Sequence, residues 1–175
     1  MLATLGVVAV GAVNAILFAV ILALLRFIRL VSRPRVEVLG EVEGFPGFHS
    51  VARHEGAKGL PGVLLFRFNA PITFFNAPHF KRELLRAVED AEPGLRNVVI
   101  DLLPVTSIDA TGLMTITELV DVLGSCGIGL NTAGRATEWR NWAAERGFSG
   151  RLVGTFPTLR QAARKLSTRA SRIYE

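Results

Sequence analysis

The first 25 residues, "MLATLGVVAVGAVNAILFAVILALL", carry no charged side chain. At about 1.5 Å per residue the run from Leu5 to Leu25 is long enough to cross a hydrocarbon core of about 30 Å, and it predicts a transmembrane helix. After it the pattern changes. Pro34 ends the helix, and Val36, Val38 and Val42 alternate with charged neighbours, the period of a half-exposed strand. "FPGFHSVARHEGAKGLPG" is rich in Gly and Pro and reads as a loop with one helical turn at most. "VLLFRF" is a nearly continuous apolar run, the mark of a buried strand.

The rest of the chain alternates between helical and strand periods. Phe80, Leu84, Leu85 and Val88 share one side of a helix that begins near Asn76 and ends before Pro93. "NVVIDLL" is a strand, "DATGLMTITELVDVLGS" a helix and "IGLNTAG" a further strand. "ATEWRNWAAERG" is helical, with Trp139, Trp142 and Ala143 as its apolar face and Gly147 as its terminator. "RLVG" is a short edge strand at most, and "TLRQAARKLSTRA" is a last helix. Helices alternating with strands predict an α/β layer structure with right-handed crossovers.

Composition and charge narrow the function classes. A chain of 175 residues that is 50% hydrophobic and 20% charged is globular and of one-domain size. The basic residues nearest the apolar run, Arg26, Arg29, Arg33 and Arg35, all follow it. A cleaved signal peptide would carry its positive charge before the apolar core, so the pattern favours a retained span with the following residues cytoplasmic. The formal net charge of +5 comes mostly from this collar and from the tail "LRQAARKLSTRASR", and both suit an anionic lipid surface. No basic stripe interleaved with aromatics and no zinc-finger spacing is present, which argues against nucleic-acid binding. Cys126 is the single cysteine, which excludes an intrachain disulfide and fits a reducing compartment.

Candidate chemistry concentrates in "TSIDATG", residues 106–112. Asp101 ends one strand and Asp109 begins the next helix, so both carboxylates belong near the carboxyl edge of the sheet, where open α/β folds place their sites. Asp109 also suits an N-cap, and a helix cap plus a solvated strand-end acid is the plain structural alternative to a site. No P-loop or G-x-S-x-G turn occurs, and His49, His54 and His79 lack ligand spacing, so neither catalysis nor a cofactor or metal is expected. At about 100° per residue, Leu113, Ile116, Val120 and Leu123 face the sheet, while Thr111, Thr115, Glu118 and Val122, with Met114 beside them, line the outer face. That mixture of hydroxyls, one acid and apolar side chains is fit for docking a partner.

"VVIDLLPVTSIDATGLMTITELVDVL" closely resembles the core of a STAS domain, the module shared by bacterial anti-sigma-factor antagonists and the cytoplasmic tails of SulP-type anion transporters. The succession of a membrane helix, "SRPRVEVLGEVEG" and "PGVLLFRFNAPITFFNAPHFKREL" is similar to the C-terminal end of a SulP permease, and the resemblance covers essentially the whole chain. It implies a mixed β-sheet flanked by helices, preceded by one transmembrane helix, with no enzymatic site. It also implies three segments: a span with a basic collar at 1–31, a linker with the first strand at 32–61, and a cytoplasmic STAS domain at 62–175.

In the soluble antagonists a hydroxyl directly after the aspartate is the phosphorylated group. Here that position is Ala110, and Thr111 is the next hydroxyl. Asp109, Thr111, Met114, Thr115, Glu118 and Val122 are therefore the candidates for regulatory phosphorylation or partner contact. The expected role is regulation of secondary transport of sulfate or another small anion in the inner (plasma) membrane. The alternative is a membrane-tethered STAS signalling protein complete from Met1. Expected partners are the lipid bilayer and a transporter membrane domain or other protein docked on the 110–123 helix. The resemblance is compatible with a homodimer, to which the span adds no motif, since Gly6 and Gly11 are not at the four-residue spacing of close helix packing.

Overall fold

The computed structural model describes residues 11–145 and 154–171. The chain divides into two compact units, Met1–Arg33 and Pro34–Glu175. In the first, α1 (Ala12–Ser32) runs through the apolar stretch and continues past Arg26 and Arg29. Its segment Val13–Ser32 is 20 residues long, apolar enough to cross a membrane by length and composition, and unburied by the rest of the chain. Residues 1–10, where the apolar run begins, lie outside the described residues.

The second unit is a mixed α/β layer structure. Its elements are β1 (Val36–Val42), β2 (Phe45–Ser50), β3 (Val63–Phe68), α2 (Ala77–Glu89), β4 (Asn97–Asp101), α3 (Ala110–Ser125), β5 (Gly129–Ala133), α4 (Ala136–Glu145), β6 (Gly154–Phe156) and α5 (Leu159–Ser171). The six strands lie in the order β2-β1-β3-β4-β5-β6. β1 is antiparallel to both its neighbours, whereas β3, β4, β5 and β6 run parallel. The parallel strands are separated by helices because a parallel return needs a long crossover.

Two apolar layers hold the sheet. On one face Leu64, Phe66 and Phe68 of β3, Val98 and Ile100 of β4 and Leu130 of β5 pack with Phe80 and Leu84 of α2 and with Leu113, Ile116, Leu119 and Leu123 of α3. On the other, Leu39, Leu65, Val99 and Ala133 meet Ala162, Ala163 and Leu166 of α5. Strand residues therefore alternate between two buried faces, which is why β3 reads as a continuous apolar run. The helix face expected from Leu113, Ile116, Val120 and Leu123 is buried as expected, except that Val120 is half-buried and Leu119 completes the seam. Trp142 of α4 is half-buried against this layer. The side chains of Trp139 and Ala143, Gly147 and the first three residues of "RLVG" lie outside what is described.

One expected loop is a strand. Phe45–Ser50 pairs antiparallel with β1 as an edge strand, with Leu39 opposite Ser50 and Glu41 opposite Phe48. Its turn is the two-residue pair Glu43-Gly44, with Gly44 at φ +79°, the left-handed conformation that glycine adopts at no steric cost. Pro46 is tolerated because an edge strand has a side that needs no donor.

Candidate functional site

The β4-to-α3 connection is built around Asp109. Its backbone is extended (φ −86°, ψ 179°), and its Oδ1 accepts from the Gly112 amide at 2.8 Å, capping α3. The second oxygen does different work: Oδ2 accepts from the Phe74 amide at 2.7 Å, reaching across to the loop that precedes α2. Backbone bonds stitch the same two loops together, the Ile72 amide to the Ser107 carbonyl at 3.1 Å and the Asp109 amide to the Ile72 carbonyl at 3.2 Å. Gly112 is demanded by this approach. A Cβ there would sit 2.6 Å from the Ile72 carbonyl oxygen and 2.9 Å from the Ile108 side chain.

Asp101 differs from the expected solvated strand-end acid. It is buried, with Oδ2 accepting from Arg67 Nε at 2.8 Å and Oδ1 from the Leu103 amide at 3.0 Å. The cause is lateral: Arg67 is its register partner on the neighbouring strand, and both side chains point to the same face. Both carboxylates are thus held by donors of the fold itself, one at a loop and one at a strand pair. Among the described residues no group of three or more His, Cys, Asp or Glu side chains comes together. His49 and His54 stack edge to face with ring centroids 4.8 Å apart, and His79 lies elsewhere, at the start of α2, with Nε2 3.1 Å from the Pro34 carbonyl oxygen.

The outer face of α3 divides into occupied and free groups. Thr111 and Met114 are exposed, Met114 at 62%. The Thr115 hydroxyl donates back to the Thr111 carbonyl at 2.9 Å, and Glu118 pairs with Lys81 of α2. Val122 is 38% exposed. Among the described residues, Thr111, Met114 and Val122 are therefore presented without a side-chain hydrogen bond or ion pair, while Thr115 and Glu118 are engaged by the fold. Sequence reasoning missed Phe74, 69% exposed and anchored by Asp109, and Leu103, 64% exposed. The signal for Phe74 was present in "ITFFNAP", where two adjacent phenylalanines stand between a buried strand and a helix start.

A STAS-domain family model matches residues 56–162. The chain belongs to the STAS-domain family. It is 35% identical over 115 residues, 61% of its length and 20% of the relative, to a probable sulfate transporter of Mycobacterium tuberculosis. The STAS chain thus spans about a fifth of the length of the curated relatives it matches. In fold it is similar to the murine solute carrier 26 family member A9 anion transporter in the inward-facing state, with a TM-score of 0.70 at 15% identity over 91% of this chain and 25% of that one. It is also similar to an anti-sigma factor antagonist of Thermotoga maritima, with a TM-score of 0.53 at 19% identity over 62% of this chain and 91% of that one. The mixed sheet flanked by helices is the STAS fold expected from the sequence.

Proposed function

We propose that the chain is the C-terminal end of a SulP-type secondary anion transporter, its last membrane span followed by a STAS domain that regulates transport. In this reading residues 1–31 form the span with its basic collar, 32–61 connect it and supply β1 and β2 to the sheet, and 62–175 form the rest of the cytoplasmic domain at the inner (plasma) membrane. The observation that carries it is the succession of an apolar helix ending at Ser32 and a compact unit starting at Pro34 that contains the STAS match, in a chain 35% identical over 115 residues to a probable sulfate transporter. The match to the murine anion transporter covers 91% of the chain, more than residues 34–175 alone can account for, which supports counting α1 as part of the shared architecture.

One helix cannot enclose a transport pathway, because secondary transporters bind substrate between several helices near the membrane midplane. The anion, sulfate or a similar small species, is therefore handled by membrane helices other than α1. The STAS domain acts through the exposed stripe of α3, with Thr111, Met114 and Val122 as contact residues and Asp109 holding the turn. Thr115 and Glu118 complete that face. The test joins peptide mapping of the native polypeptide to anion uptake. Further apolar segments in one long chain, with uptake altered by Val122→Arg, support the reading; a mature chain of 175 residues without transport overturns it.

The similarity to the T. maritima antagonist motivates a second reading, a membrane-tethered STAS signalling protein. It needs a phosphorylatable turn, and the residue after Asp109 is Ala110. Thr111 is exposed and would put a phosphate at the N-terminus of α3, favoured by the helix dipole and opposed by the Asp109 charge. Phosphate on Thr111 in cells, together with a mature chain of 175 residues, would decide for this reading.

A further inference from the structure

Seven large apolar side chains of the STAS unit are exposed among the described residues, and three of them, Phe74, Phe75 and Leu103, lie in the loops that leave the carboxyl ends of β3 and β4. These loops form one stitched surface. Phe74 is held through its amide by Asp109, the 69–76 loop is bonded to the 102–109 loop at Ile72, and Arg135 Nε donates to the Leu103 carbonyl at 3.2 Å. Exposed phenylalanines on a surface this well tethered are held out, not left over from a loose loop.

The chain enters the unit at this same edge. Because β1 is antiparallel to β3, with Val36 opposite Phe68, the start of β1 lies beside the carboxyl end of β3. The entering backbone is pinned there twice, by the Asn69 amide to the Arg35 carbonyl at 3.1 Å and by His79 to the Pro34 carbonyl. α1 ends at Ser32, and two further residues reach Pro34, no more than about 7 Å of extended chain. Phe74 follows Asn69 by five residues, no more than about 18 Å. Arg35 is exposed at this entry point, Arg26, Arg29 and Arg33 are exposed and precede it in the chain, and Arg135 follows β5 at the same edge.

We propose that this edge is seated on an anionic lipid surface, with Phe74, Phe75 and Leu103 lodged at the headgroup boundary and the arginines paired to lipid phosphates. The proposal rests on the reading of α1 as a membrane span. Aromatic and leucyl side chains backed by basic residues are the composition of interfacial membrane anchors. Of the acids at this edge, Asp109 has both oxygens engaged by backbone amides and the exposed Glu138 is paired with Arg135 at 3.5 Å, which lowers their repulsion toward anionic lipid. Phe45, 67% exposed in the β1–β2 hairpin, stands at the opposite, amino edge and serves as the internal control.

The test is nitroxide labelling of the 175-residue chain in vesicles of phosphatidylethanolamine and phosphatidylglycerol, in a Cys126→Ser background. Labels at Phe74→Cys and Leu103→Cys are expected to lose collisions with an aqueous nickel chelate and gain them with lipid-dissolved oxygen, while Phe45→Cys stays aqueous. If the labels at 74 and 103 are as aqueous as the one at 45, the proposal is overturned. If they are shielded from both reagents, a protein covers the edge and the lipid assignment is likewise overturned. A label at Leu22→Cys separates the two readings: an aqueous result there refutes the membrane span itself, whatever the edge does.

Discussion

Asp109 Oδ2 lies 2.7 Å from the Phe74 amide while its Oδ1 caps α3 at Gly112, so one carboxylate joins the start of one helix to the loop that launches another. Replacing it with alanine leaves two amides without their acceptor. Asp109→Ala should cost about 1–2 kcal/mol, the upper part of the range for a lost N-cap, and should loosen the 69–76 loop as well. Thermal unfolding with amide exchange at Phe74 checks this; unchanged protection at Phe74 would refute the link.

Gly112 shows a conflict between local propensity and packing. Alanine would favour the helix by about 1 kcal/mol, but its Cβ would stand 2.6 Å from the Ile72 carbonyl oxygen. Gly112→Ala is therefore expected to be destabilising by about 1–3 kcal/mol, as overpacking of a tight contact is. A urea midpoint at or above that of the parent chain would contradict the close approach.

The Arg67–Asp101 pair is asymmetric, with Asp101 buried and Arg67 about a quarter exposed at 27% of its side chain. Removing the exposed partner leaves the carboxylate buried with the Leu103 amide alone, whereas removing the acid frees an arginine that can turn to water. Arg67→Ala should accordingly cost more than Asp101→Asn, about 3 kcal/mol at most after solvent screening. Chemical denaturation of both variants tests the order.

Thr111→Glu and Val122→Arg alter exposed positions on α3 and should change stability by no more than about 0.5 kcal/mol. They should nevertheless change anion uptake or partner capture in the longer protein. Unchanged transport and unchanged pull-down in both would remove α3 as the contact face.

Lys81→Ala should leave folding nearly intact, since an exposed ion pair to Glu118 contributes about 0.2–1 kcal/mol. If it alters uptake as much as Val122→Arg, the contact face extends over α2 as well as α3.

What was legible in the chain was whatever a local rule dictates. The uncharged apolar run specified α1 by length, the continuous hydrophobic stretch of "VLLFRF" specified a strand buried on both faces, and the position of Asp109 before an amphipathic run specified a capped helix. The family resemblance in the 98–123 region supplied the fold around them. The strand Phe45–Ser50 was hidden because Pro46 and Gly47 interrupt it and its partner lies across a turn, so its pairing with β1 is visible only as register. Asp101 looked like a solvated acid because the basic residue nearest in sequence, Arg96, stands at the opposite end of its strand, while Arg67 is 34 residues away and reaches it through strand pairing. The second bond of Asp109, the need for glycine at 112 and the gathering of Phe74 and Leu103 at the chain's point of entry are likewise contacts between segments distant in sequence. Periodicity and capping act over a few residues and can be read along a line; lateral register and loop-to-loop contact exist only once the sheet has formed.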